Sequence, residues 1–272
     1  MLSNSRDDKY RYFLFSRWCG CRLRKFLFIL FLVALSGCAF IGSYNPATGR
    51  REFIAISTPT EVRMGRDIHQ RLLREYEFVI RGGLLNRVRS IGARLAAVSD
   101  RKDYKYNFYV IKKDEMNAFT TPGGNIYIFT GLLNKLKDDN QIAAVIAHEM
   151  GHCAARHVVK KFQAILGYDL LGSFILSNIG LSPYARSIAR LSSSAVMRLV
   201  SSAYSRHDEY EADRLGVKYM RLAGFNPQGM VEVLKILKKT SREPGGLIIL
   251  RSHPYLKDRI IAVQHEILCS KE

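Results

Sequence analysis

Between residues 58 and 98 the apolar positions recur at three- and four-residue intervals, a period that predicts two amphipathic helices. The first opens at Thr58-Pro59-Thr60-Glu61. Thr58 is placed there to cap it, Pro59 to fill its first turn and Glu61 to complete a capping box, and the helix continues through EVRMGRDIHQRLLREYE. The second spans residues 84–98 with Leu85, Val88, Ile91 and Leu95 on one face, and the pair is expected to pack on the core. The texture then changes. YKYNFYVIK at 104–112 and NIYIFT at 125–130 are rich in aromatic and β-branched residues and flank a turn-prone TPGG, so both are expected to be strands. Asp138 and Asp139 next open a long predicted helix through QIAAVIAHEMGHCAARHVVKKF, with both carboxylates at the positive end of its dipole. The order predicts a helix-rich domain carrying a small sheet.

An apolar run of another kind precedes these elements. FLFILFLVALSG begins at Phe26, is twelve residues long and follows seven Lys or Arg. It is short for a bilayer span and has the length of a signal-peptide core. The sequence LSGC that ends at Cys38 resembles a bacterial lipobox, in which the thiol is acylated and the chain is cut just before it. An uncleaved signal anchor is the alternative. The basic region before the run, which holds Cys19 and Cys21, is longer than the usual pattern. Cleavage at Cys38 would leave a lipid-anchored periplasmic protein, and the resemblance implies that Ala39, rather than an aspartate, directs it to the outer membrane.

Composition adds bounds. With 272 residues, 47% hydrophobic content and 7 prolines, the chain suits one substantial core and has no low-complexity tract. Removing the seven basic and two acidic leader residues from 42 and 24 leaves a net charge of +13. The basic residues are scattered and no nucleic-acid-binding signature accompanies them, so a solvated surface near anionic lipid is expected, and nucleic acid is not an expected partner. Cys153 and Cys269 would remain as thiols after export; they could pair in an oxidising compartment, or Cys153 could be a small buried hydrophobe.

The chemistry concentrates in AAVIAHEMGHCAARH at 143–157. His148 and His152 are four residues apart, which on a helix brings both imidazoles to one face, where they can grip one cation. Glu149 lies one step round, placed to act as a base beside a bound zinc without being a ligand. Zinc needs a third protein ligand, and SRHDEYEADRLG at 205–216 offers carboxylates on a second helix. There Glu209 and Asp213 share a face and suit a ligand and a supporting carboxylate, while Glu211, nearly opposite, is the weaker candidate. A merely exposed charged face is the alternative. His157, five residues beyond His152, is expected to rotate away and to be structural, and His69, His207 and His265 have no partner spacing.

Four ordered stretches, GGNIYIFTGLL, AAVIAHEMGHCAARH, EYEADRLG and SHPYLKDR, resemble the HtpX/BepA/LoiP-type zinc metallopeptidases, whose relatives include CAAX-prenyl peptidases. NPATGRREFIAIS is similar to the N-terminal signature of their periplasmic lipoprotein members. The resemblance implies a zincin-like α+β domain with one zinc ion held by His148, His152 and Glu209, with Glu149 as base and Asp213 orienting His148 or His152. It also places Asn117, Gly123 and Gly124 beside an active-site edge strand that binds extended substrate backbone, consistent with strand addition at a sheet edge. His253 is placed facing the zinc. It could donate to the oxyanion, occupy the fourth coordination position as a latch, or simply be satisfied by neighbours such as Arg259. Pro254 restricts it to extended backbone, as suits a loop.

The expected organisation is a lipoprotein signal peptide at 1–37, a lipid-anchored segment at 38–57 and a zinc metallopeptidase domain at 58–272. The expected activity is endoproteolysis of misfolded or stalled envelope proteins. The alternatives are a zinc-binding, largely non-catalytic lipoprotein that assists outer-membrane protein assembly, or a structural lipoprotein without metal. Residues 164–181 are apolar but interrupted by Gly167, Asp169 and Gly172, which favours a helix over the site and not a membrane span. The chain stops soon after SHPYLKDR, so no tetratricopeptide extension is expected, and partners would be recruited by the domain itself or by a separate protein.

Overall fold

The computed structural model describes residues 42–176, 198–241 and 249–269; the leader, Cys38 and residues 177–181 of the apolar stretch lie outside them. The chain divides into two compact units, Met1–Tyr44 with Arg51–Phe53, and Asn45–Arg50 with Ile54–Glu272. In the first, the Arg51 guanidinium donates to the Gly42 carbonyl (3.3 Å). Strands β1 (Ser43–Asn45) and β2 (Arg50–Glu52) form a two-stranded sheet.

The second unit holds the predicted domain. Helix α1 (Thr58–Glu75) begins one residue earlier than its capping pattern implied. Ser57 is the N-cap, Pro59 sits in the first turn, and Glu61 closes no capping box. Glu61 is instead buried between the guanidinia of Arg101 (3.3 Å) and Arg156 (3.1 Å), a stronger pull than a cap amide. Helix α2 (Gly83–Val98) buries Leu85, Val88, Ile91 and Leu95 as its periodicity requires.

Strands β3 (Asn107–Ile111), β4 (Ala118–Thr121) and β5 (Asn125–Phe129) make a sheet of order β3-β5-β4, with β3 parallel and β4 antiparallel to β5. The two predicted strands are β3 and β5. The TPGG turn, however, closes a hairpin between β5 and β4, a strand that all-round burial deprives of a readable alternation. Gly123 and Gly124 carry φ of +79° and +76° in that turn. A Cβ on Gly123 would lie 2.9 Å from the Val62 Cα, and one on Gly124 2.6 Å from the Tyr104 ring.

The sheet is covered on both faces. Phe108, Val110, Ala118, Ile126 and Ile128 join the main core with α2 and the later helices, whereas Ile111, Phe119, Tyr127 and Phe129 face a second cluster with Met64, Ile68 and Leu72 of α1. After the short α3 (Thr130–Leu133), helix α4 (Asp139–Ala154) starts at Asp138, whose side chain accepts from the Gln141 amide (2.9 Å). It is not the single long helix expected. It stops at Ala154, Arg156 takes a left-handed φ of 57°, and α5 (His157–Leu176) begins a new axis. Helices α6 (Arg206–Leu222), α7 (Gln228–Thr240), α8 (Ile249–Ser252) and α9 (Leu256–Cys269) complete the domain. Among the described residues no helix is long and apolar enough to cross a membrane. Cys153 is buried, Cys269 is exposed, and both are free thiols.

Candidate metal centre

Helices α4 and α6 approach closely because each presents a glycine to the other. A Cβ on Gly151 would meet the Ala212 carbonyl oxygen at 2.6 Å, and one on Gly216 would stand 3.3 Å from the backbone of Ala147 and His148. This contact places Glu209 and Asp213 of α6 opposite the histidines of α4. A capping box, Ser205 with Asp208, starts α6 one turn before Glu209.

Ligand-capable atoms of His148, His152, Glu209 and His253 lie within 4.8 Å of one another, and all four residues are buried. His148 Nε2 is 3.1 Å from His152 Nε2 and 3.2 Å from His253 Nδ1. Glu209 Oε1 lies 3.4 Å from His152 Nε2 and 3.0 Å from His253 Nδ1. Glu149 stands beside the group, its Oε1 3.5 Å from His253 Nε2, and its Oε2 is buried with no hydrogen-bond partner. His253 occupies the turn between α8 and α9, the loop position that Pro254 implied. Its partners are Glu209, His148 and Glu149, not Arg259.

The far side of each α4 histidine is also held. His148 Nδ1 lies 2.9 Å from Asp213 Oδ1, so of the two α4 histidines it is His148 that Asp213 meets. Arg259 of α9, not singled out in the sequence as part of the site, donates to both oxygens of Asp213 at 2.7 Å and pairs with Glu209. His152 has its own support: its Nδ1 is 2.9 Å from His157 Nδ1, His157 Nε2 is 3.1 Å from Glu211 Oε2, and Arg50 donates to the other Glu211 oxygen (2.6 Å). His157 therefore faces the site rather than away from it. The Tyr204 ring stacks on His152 with centroids 3.8 Å apart.

These partners bring His152, Glu209 and Asp213 toward their unprotonated forms and hold His148 toward its protonated one. Burial holds His152 well below the ordinary imidazole pKa. Burial alone would raise Glu209, but Arg259 and His253 pull it well below the carboxylate range; burial likewise opposes ionisation of Asp213, and Arg259 overrides it. Burial and Arg259 disfavour the charged form of His148, yet Asp213 and Glu209 hold its pKa above the ordinary value. A neutral imidazole and ionised carboxylates are the ligating forms. Imidazole nitrogens 3.1–3.2 Å apart, beside a buried carboxylate oxygen with no partner, fit a divalent metal ion. The four residues can hold one metal ion.

Comparison with known proteins agrees with this geometry. Residues 85–267 match peptidase family M48, an interval containing every residue of the cluster. The chain belongs to peptidase family M48. It is 30% identical over 226 residues to the beta-barrel assembly-enhancing protease of Escherichia coli, covering 79% of this chain and 45% of that protein. It is 28% identical over 225 residues to the mitochondrial metalloendopeptidase OMA1 of Schizosaccharomyces pombe, covering 81% and 65%. The Saccharomyces cerevisiae OMA1 is 28% identical over 260 residues, covering 87% and 72%. The chain thus spans about half the length of the Escherichia coli relative.

The M48 match begins inside α2, so the β4 edge falls within it. Asn117 is buried just ahead of β4, and its carbonyl accepts from the Phe129 amide (3.0 Å). Gly123 and Gly124 have a folding reason of their own in the tight turn against α1 and Tyr104. His69 stacks on Tyr109 (4.2 Å) and His207 meets Arg50 (3.2 Å), and neither belongs to the four-residue cluster.

Proposed function

We propose that this chain is a zinc-dependent endopeptidase of the bacterial cell envelope, periplasmic, and tethered to the outer membrane through lipid on Cys38. Its substrates are misfolded or stalled envelope proteins. One observation carries the reading: His148, His152 and Glu209 converge at one buried point with the unpartnered carboxylate oxygen of Glu149 beside it. The name of the Escherichia coli relative, a beta-barrel assembly-enhancing protease, supports an envelope setting.

His148, His152 and Glu209 would hold the metal, which when bound supplies the Lewis acidity that amide hydrolysis requires. Glu149 takes a proton from the attacking water at Oε2 and returns it to the leaving amine nitrogen. Asp213 and the His157–Glu211 pair fix the ring orientation of the two histidines. The outer edge of β4, with Asn117 and the Gly123-Gly124 turn at its ends, aligns an extended substrate by strand addition. His253 acts as a latch: with Nδ1 3.2 Å from His148 Nε2 and 3.0 Å from Glu209 Oε1, it competes for the open position that substrate requires.

Hydrolysis of unfolded casein by the purified protein tests the function. Activity should vanish with a chelator and return with added zinc. Zinc bound without turnover, in wild type and in His253→Ala alike, would overturn the peptidase reading in favour of a non-catalytic assembly factor. The tether is tested separately, because acyl chains contribute about 0.8 kcal/mol per buried methylene and can anchor a protein without a spanning helix. Cys38→Ser should abolish incorporation of labelled fatty acid; an unmodified Cys38 with residues 1–37 retained would argue for a signal anchor.

A further inference from the structure

The sheet has a second edge, on β3, separated from β4 by β5. Its C-terminal end is covered: the Val79 amide donates to the Val110 carbonyl (2.9 Å) and the Lys112 amide to the Glu77 carbonyl (2.8 Å). Asn107 donates inward to Gly124 (2.9 Å), so alternation along the strand turns the N–H and C=O of Phe108 outward, to the side of the Val110 carbonyl. Among the described residues no hydrogen bond engages that outward pair.

A cleft of about 600 Å³ lies along this stretch, between β3 and the Arg89–Ala93 face of α2. Its charged lining, among the described residues, is entirely basic: Arg89, Arg101, Lys102 and Lys105. Lys102 is engaged with the end of α2 through the Ala97 carbonyl (2.6 Å). Arg101 is 5% exposed, and although Asp103 and Glu61 take its other nitrogens, its Nη1 has no partner. Arg89 and Lys105 are exposed. Open main-chain groups recognise a strand, and the exposed cations of Arg89 and Lys105 recognise carboxylates. We propose that this cleft is an exosite that receives an extended acidic segment of a partner polypeptide as an added strand on β3. The proposal stands apart from the peptidase reading, since no residue of the metal cluster lines the cleft.

The test uses the full-length protein and a fluorescein-labelled octapeptide of alternating Glu and Val, with anisotropy as the readout and mass spectrometry to confirm that the peptide stays intact. A Lys–Val peptide and a Glu–Val peptide N-methylated at alternate residues serve as probes of charge and of strand pairing. The acidic peptide should bind, the Lys–Val peptide should not, and N-methylation on the bonding edge should weaken binding. The double variant Arg89→Glu with Lys105→Glu, which changes only exposed side chains, should bind the acidic peptide about tenfold more weakly. Ala93→Trp, also exposed, should obstruct the cleft and weaken binding while leaving the melting temperature near wild type. Equal binding by wild type and both variants would overturn the proposal. So would equal binding of the N-methylated peptide, or capture of phosphatidylglycerol vesicles by the same lysine and arginine with no binding of the peptide.

Discussion

At each histidine of the HEMGH run, the nitrogen that faces the cluster is decided by whatever holds the other nitrogen. His157 Nε2 stands 3.1 Å from Glu211 Oε2 and His157 Nδ1 2.9 Å from His152 Nδ1, so the contact to His157 occupies the Nδ1 side of His152 and leaves its Nε2 facing the cluster. Loss of such support commonly weakens metal binding by about 10–100-fold, so His157→Ala should bind zinc correspondingly less tightly in competition with a chelating dye. Unchanged zinc affinity would reduce His157 to a packing role. The sequence hid this residue for a geometric reason. Counting five positions on from His152 assumes one continuous helix, but the left-handed Arg156 restarts the axis and swings His157 back toward its neighbour. Arg259 was equally hidden, because a charge contributed from a helix remote in sequence has no spacing to betray it. His253 carries the second prediction at this scale. As a latch, its change to Ala should keep zinc and raise casein hydrolysis; a loss of about a hundredfold would instead make it an oxyanion donor.

At the level of elements, the site depends on how near α4 and α6 can come. Gly151 lies inside the HEMGH run, yet its duty is toward Ala212, where a methyl group would sit 2.6 Å from a carbonyl oxygen. Gly151→Ala should cost about 1–3 kcal/mol by overpacking and should weaken zinc binding, because Glu209 moves with α6. Thermal melts with and without zinc check both effects, and wild-type values in each would contradict the close-approach account. The helices were largely legible because their apolar stripes face one side: Leu85, Val88, Ile91 and Leu95 are all buried. Strand β4 was not, since Ala118–Thr121 is buried throughout and so shows no period of two. The start of α1 was misplaced by one residue because Glu61 answers to two arginines, the buried Arg101 and the partly buried Arg156, and not to the cap.

Taken as a whole molecule, the domain wraps one three-stranded sheet between two apolar clusters and mounts its polar chemistry where α4, α6 and the α8–α9 turn meet. The family could be read from the ordered motifs because His148, Glu149 and His152, then Glu209 and Asp213, lie in local patterns; the resemblance also placed His253 at the site, and the fold added which atoms it meets. Its two sheet edges have different surroundings, β4 against α4 and β3 beside a basic cleft, and on this account they have different clients. The central claim is that Glu149 does chemistry at a metal that His148, His152 and Glu209 hold. Zinc content and casein hydrolysis measured together in wild type, Glu149→Gln and Glu209→Ala test it most directly. The account predicts one zinc per chain in wild type and in Glu149→Gln, with hydrolysis in the latter lower by orders of magnitude, and loss of both zinc and hydrolysis in Glu209→Ala. Full zinc in Glu209→Ala, or undiminished hydrolysis in Glu149→Gln, would contradict it.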